Sequence, residues 1–129
     1  MMNAWDQRFG GIERLCGKSA SQKIRDAHVC IIGIGGVGSW TAESLARTGI
    51  GKLTLVDMDE VCVTNVNRQV HALDGEVGQL KVESMARRIR LISPDCIVQP
   101  QSVFFTQATS NAIFDERYDV VVDAIDRLN

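Results

Sequence analysis

The sequence predicts an α/β fold: a Rossmann-like, doubly wound, mostly parallel sheet with helices on both faces, preceded by two short N-terminal helices. Three observations carry this expectation. The run from His28 to Ile34 is almost continuously apolar, as a strand covered on both faces should be. It leads through Gly33-Ile34-Gly35-Gly36-Val37-Gly38 into a helical pattern. Strand and helix patterns then alternate to the end, with crossovers long enough to join parallel strands.

The elements follow in order. Asp6–Leu15 and Ser19–Ala27 read as two short helices separated by Gly17, and His28–Ile34 is the first strand. Val37–Thr48 is helical, with Trp40, Leu45 and small alanines as packing residues, and Gly49 stops it. Lys52–Val56 is a second strand ending on Asp57. Residues 58–78 are a long polar connection without clear periodicity, the kind of loop that more often carries function than not. From Gln79 to Ile92 the residues Val82, Met85, Ala86, Ile89 and Ile92 recur at helical spacing, and Pro94 ends the run. Cys96–Val98 begins a third strand, Thr106 caps a short helix through Phe114, and Asp119–Asp123 is a fourth strand.

Composition narrows the function. A chain of 129 residues is one domain's worth. Its 14 basic and 16 acidic residues leave no excess positive charge that would mark a nucleic-acid surface. No apolar run approaches the length of a membrane span, and Met1–Arg14 lacks the apolar centre of a signal peptide. The four cysteines, Cys16, Cys30, Cys62 and Cys96, are scattered, and neither they nor His28 and His71 show zinc-ligand spacing. Cys30, Cys62 and Cys96 are read as packing residues, and Trp5 with Trp40 likewise. A reduced, cytoplasmic protein without a structural metal is expected.

In the glycine loop each glycine has a separate task. Gly33 permits the tight turn, Gly35 and Gly36 let backbone approach a phosphate, and Gly38 lets helix and strand pack closely. Amides at the new helix start then face an anion with the favourable end of the helix dipole. Asp57, 19 positions after Gly38, stands where a carboxylate accepts from a ribose diol. Up to this point a dinucleotide oxidoreductase and an adenylate-forming enzyme remain indistinguishable.

The connection after Asp57 separates them. It holds Asn65, Asn67, Arg68 and Gln69, and Lys81 follows in the first turn of the next helix. A pyrophosphate between two nucleosides is already served by the loop. A triphosphate attacked at its α-phosphorus develops charge that calls for placed cations, and Arg68 and Lys81 supply them. Lysine is otherwise unfavourable at a helix start, which points to an anionic ligand beside it. Asp126, beyond the fourth strand and near Asp123, is the candidate ligand for Mg²⁺, with Asp59 as a second acid across the site.

Together with Leu55-Val56-Asp57-Met58-Asp59, Asn65-Val66-Asn67-Arg68-Gln69 and Val77-Gly78-Gln79-Leu80-Lys81, the glycine loop resembles the ubiquitin-activating-like superfamily. This group includes the ThiF-type adenylating enzymes of molybdopterin and thiamine biosynthesis. Trp5-Asp6-Gln7-Arg8-Phe9-Gly10-Gly11, Val61-Cys62-Val63-Thr64-Asn65 and His71-Ala72-Leu73 are most similar to its tRNA threonylcarbamoyladenosine dehydratase branch.

The resemblance implies ATP and Mg²⁺ as cofactors. It implies adenylation of the threonylcarbamoyl carboxylate on the adenosine 3′ to the anticodon, with ring closure then expelling AMP. Gly33, Gly35, Gly36 and Gly38 would cradle phosphates, and Asp57 would hold the ribose. Asn65, Arg68, Gln69 and Lys81 would contact the triphosphate, and Asp126 the metal. Arg8 matches an arginine that a homodimer donates to its partner's active site. A cysteine-desulfurase sulfur acceptor is a further implied partner, and no cysteine here suits a thioester. Arg127 stands where many adenylating relatives carry asparagine. Residues 1–129 are then expected to be the N-terminal, ATP-binding part of a ThiF-type domain whose second half lies outside this sequence. The alternatives are a sulfur-carrier-protein adenylyltransferase, an NAD- or FAD-dependent oxidoreductase, and a non-catalytic nucleotide-binding module.

Overall fold

A computed structural model of the chain describes residues 3–126. Helices α1 (Ala4–Cys16) and α2 (Lys18–Asp26) precede β1 (His28–Ile32), α3 (Gly38–Thr48), β2 (Lys52–Val56) and α4 (Lys81–Ile92). The chain continues through β3 (Ile97–Gln101), α5 (Gln107–Ile113) and β4 (Val120–Asp123). All strand pairs are parallel, in the order β3-β2-β1-β4. The chain therefore runs outward from β1 to β3 and returns to the other side of β1. That reversal opens a crevice at the carboxyl ends of β1 and β4, where doubly wound sheets bind ligands.

Alternate residues of the central strand feed two cores. Val29 and Ile31 face Ala42, Ala46, Val82, Met85 and Ile89, so α3 and α4 cover that side. Cys30, Ile32 and Val56 face Ile113 of α5 on the other. Pro100, which cannot donate to a ladder, sits in β3 at the sheet edge.

Local chemistry sets the boundaries. The Asn3 side chain accepts from the Asp6 N–H and starts α1. Gly17, at φ 88, separates α1 from α2, and Gly49, at φ 94, ends α3 in the left-handed region. The Thr106 side chain caps α5 through the Thr109 N–H, as its sequence predicts. β1 stops at Ile32, two residues earlier than expected, because Gly33 turns the chain at φ 94. α4 begins at Lys81 rather than Gln79, since Leu80 is extended and bridges Glu60.

The long connection is irregular as expected apart from one short turn, and two packing expectations are corrected. Residues 58–78 contain a 3-10 turn, Val63–Asn67, closed by the Asn65 Oδ1 accepting from the Cys62 N–H. Cys62 is exposed, not packed, with its sulfur accepting from the Thr64 hydroxyl at that turn. Trp40 is 51% exposed rather than buried, because it lies on the loop side of α3 instead of its core face. Trp5, in contrast, is buried and donates to the Gly49 carbonyl.

Acidification should destabilise the fold in two stages. Burial lowers the pKa of His28 and of His71 below the ordinary histidine value of 6.5. A base with a depressed folded pKa binds fewer protons folded than unfolded, so stability falls as pH drops below 6.5. Burial alone would raise the Glu43 carboxyl, but hydrogen bonds from Arg88 and Arg47 outweigh it and hold it below 4.5. Its contribution is lost as pH falls further. At the alkaline end, burial pushes Cys30 and Cys96 up to about 11, so stability should decline again above pH 9. Thermal melts across pH should show a plateau between these limits. A melting temperature that rises on acidification below 6.5 would contradict the assignment.

Candidate functional site

The glycine loop leaves β1 at the crevice, and its geometry separates glycines the fold needs from glycines it does not. A Cβ on Gly33 would lie 2.7 Å from the Ala124 carbonyl oxygen, where the chain leaves β4. A Cβ on Gly38 would lie 1.6 Å from the Gly33 carbonyl oxygen, an impossible overlap. Packing therefore requires both. Gly35 and Gly36 are different. Around their missing side chains the nearest atoms are Gln69 Nε2 at 3.7 Å and the Arg68 side chain at 3.9 Å. The fold has room for a methyl there, so packing does not require glycine at either position. The N–H groups of Gly35, Gly36 and Val37 make no backbone hydrogen bond among the described residues. With the start of α3 they form a cradle of free donors suited to phosphate.

The carboxyl end of β2 completes one wall. Asp57 accepts from the Ile34 N–H at 2.7 Å through one oxygen and from the Asp59 N–H at 2.7 Å through the other. The strand-end aspartate thus fastens β2 to the loop. Each carboxylate oxygen has a second lone pair beyond these bonds, a geometry able to accept a further hydroxyl donor.

The connection after Asp57 folds back over the loop. Trp40 Nε1 donates to the Arg68 carbonyl at 2.8 Å, and the Val70 N–H donates to Ser39 Oγ at 3.3 Å. His71 Nε2 lies 2.8 Å from the Ile34 carbonyl oxygen. Arg68 is exposed, and its Nη1 donates to the Thr64 carbonyl and Asn67 Oδ1 instead of a carboxylate. Asn65 is buried and spends its Oδ1 on the turn. Gln69 is buried with its Oε1 unpartnered among the described residues.

Lys81 is only 7% exposed, and its backbone N–H donates to the Asp59 carbonyl at 3.0 Å. Its side chain forms no salt bridge among the described residues.

Gly33, Gly35, Gly36, Gly38, Asp57, Asp59, Asn65, Arg68, Gln69 and Lys81 are thus drawn to one end of the sheet. Asp126 follows Ala124, whose carbonyl abuts Gly33, and is exposed. Among the described residues no group of three or more candidate metal ligands forms. A lone carboxylate still fits Mg²⁺, which takes one or two carboxylates and completes its shell with phosphate oxygens and water. Arg127 lies outside the described residues.

Arg8 is not brought to this site. It is exposed on α1, whose Trp5 and Phe9 pack on Gly49 at the far end of α3. That is about 16 Å from the glycine loop by helix rise. Sequence reasoning missed Ser39, Trp40 and His71 as parts of the site. For His71 the only signal was a histidine among apolar neighbours in an otherwise polar loop.

The family comparison agrees with this geometry. The sequence model of the ThiF family matches residues 11–129. The chain belongs to the ThiF family.

Within that family it is 56% identical over 124 residues to the tRNA threonylcarbamoyladenosine dehydratase of Escherichia coli K12, covering 96% of this chain and 46% of that protein. It superposes with a TM-score of 0.96 on the crystal structure of the E. coli tRNA N6-threonylcarbamoyladenosine dehydratase in complex with ATP. That match covers 99% of this chain and 53% of the other at 55% identity. The E. coli molybdopterin-synthase adenylyltransferase is 36% identical over 107 residues, covering 83% of this chain and 43% of that protein. The chain therefore spans about half the length of these two E. coli relatives.

Proposed function

We propose that the full-length protein is an ATP-dependent tRNA threonylcarbamoyladenosine dehydratase. Residues 1–129 would be the N-terminal, ATP-binding part of its ThiF-type domain. The observation that carries this reading is the open amide cradle at Gly35–Val37 beside a buried lysine that lacks an ion pair. The higher identity to the dehydratase than to the molybdopterin-type adenylyltransferase favours the tRNA substrate.

A carboxylate is a poor acyl donor until one oxygen is joined to AMP. The threonylcarbamoyl carboxylate oxygen attacks the α-phosphorus, and the bond to pyrophosphate breaks. An internal nucleophile of the same side chain then closes the ring and expels AMP, so that one water is lost overall. In this reading the loop amides hold the phosphates, Asp57 holds the ribose, and Lys81 and Arg68 carry the charge developing on phosphate and leaving group. Asn65, Gln69 and Asp59 support the same region. Asp126 would hold Mg²⁺, which supplies Lewis-acid charge neutralisation when bound. Arg8, too far to act within its own protomer, would serve the partner in a homodimer. A cysteine-desulfurase sulfur acceptor is a further candidate partner, and the cytoplasm is the expected compartment. No helix among the described residues is long and apolar enough to cross a membrane.

The test is turnover of the full-length protein with ATP, Mg²⁺ and threonylcarbamoyl-modified tRNA. The expected result is AMP, pyrophosphate and a modified base lighter by one water. Pyrophosphate exchange driven only by a carrier-protein C-terminus would replace this reading with the sulfur-carrier one. The similarity to the molybdopterin-type enzyme makes that the second choice.

A further inference from the structure

We propose that His71 is a positioning residue for the phosphate cradle: its ring holds the Ile34 carbonyl and thereby aims the Gly35 N–H at the nucleotide. The proposal rests on the reading of this loop as an ATP site.

Ile34 lies between two glycines, Gly33 and Gly35, and would otherwise be the loosest part of the loop. It is instead fixed at three points. Its side chain is fully buried in the core under α3 and α4. Its N–H donates to Asp57 at 2.7 Å, and its carbonyl lies 2.8 Å from His71 Nε2. Among the described residues no other group holds that carbonyl.

A planar trans peptide links the two ends of this argument. No cis bond occurs in the described chain, so the Ile34 carbonyl and the Gly35 N–H point in opposite directions from one rigid plane. Drawing the carbonyl inward to His71 therefore turns the Gly35 N–H outward, into the cradle. A rotation of that plane would withdraw the donor without disturbing β1 or α3.

The carbonyl can only accept, so Nε2 carries the proton and the neutral ring leaves Nδ1 bare. That Nδ1 is buried and has no partner among the described residues, while the whole side chain is 1% exposed. A histidine kept only to fill space would be replaced at no cost by an apolar residue, which would strand no ring nitrogen. One buried nitrogen is left without a partner while the other reaches the loop, which assigns the residue's purpose to Nε2. Lys81, Asp57 and Glu76 bear on the ring electrostatically, and Arg87 and Arg88 line a cleft beside it.

The test compares two amides in the full-length protein. In His71→Gln the amide nitrogen reaches the position of Nε2, whereas in His71→Asn it reaches only that of Nδ1. Calorimetric titration with ATP–Mg²⁺ should give a Kd within about threefold of wild type for His71→Gln. His71→Asn should weaken ATP by about tenfold, the scale of one buried hydrogen bond. Melting temperatures of the two variants should fall together, since both lose the ring. A merely structural histidine would move ATP affinity equally in both variants, and that result overturns the proposal. A His71→Gln variant as weak as His71→Asn does so as well. Wild-type protein that binds no ATP would overturn the nucleotide reading and this inference with it.

Discussion

Gly38→Ala is expected to leave the full-length protein largely unfolded, with any folded fraction destabilised by more than about 3 kcal/mol. The added methyl would meet the Gly33 carbonyl oxygen at 1.6 Å and its carbon at 2.7 Å. Both are backbone atoms of the turn that follows β1, and neither can yield while Gly33 stays packed on Ala124. Gly35→Ala provides the contrast. Its nearest neighbour is the end of the Gln69 side chain at 3.7 Å, so the fold should survive while the methyl intrudes on the phosphate cradle. Chemical denaturation read beside ATP titration separates the two. A Gly38→Ala protein of near-wild-type stability would refute the packing argument.

Lys81→Ala should lower AMP formation by about 10²–10³-fold at saturating ATP, the loss seen when one preorganised charge-stabilising group is removed. Arg68→Ala should fall in the same range, though for a different local reason. Lys81 is only 7% exposed at the start of α4 and forms no salt bridge among the described residues, so no structural ion pair competes with an incoming anion. Arg68 is exposed, and among the described residues its side chain is braced by the Thr64 carbonyl and the Asn67 side chain, which leaves it able to swing onto phosphate. Unchanged turnover in both variants would remove these cations from the chemistry.

Much of the scaffold was legible because its causes are local. Gly17, Gly33 and Gly49 end or turn elements at positive φ, and Thr106 caps its own helix; each needs only its neighbours. The apolar run of β1 named a strand covered on both faces, and two separate cores cover it. The approach of the loop, Asp57 and the segment before Asp126 follows from parallel strands, whose carboxyl ends share one edge. What stayed hidden depends on partners distant in sequence. Trp40 passes for a core residue in the sequence because a helix pattern does not say which face meets the sheet. Cys62 passes for a packing residue because a 3-10 turn carries no amphipathic period. His71 escaped because its partner is a backbone carbonyl 37 positions away, and backbone carbonyls leave no mark in sequence.

The tie between Asp57, Ile34 and His71 has a consequence beyond catalysis. The cradle is assembled from segments near residues 35, 57, 68 and 81, so no local fragment can hold the nucleotide alone. Any opening that frees one segment forfeits the bound ligand, and binding free energy therefore becomes resistance to global unfolding. At a hundred times its Kd, a nucleotide would add about 2.7 kcal/mol to the whole domain. The bound molecule then acts as a reversible crosslink between parts of the chain that sequence keeps far apart.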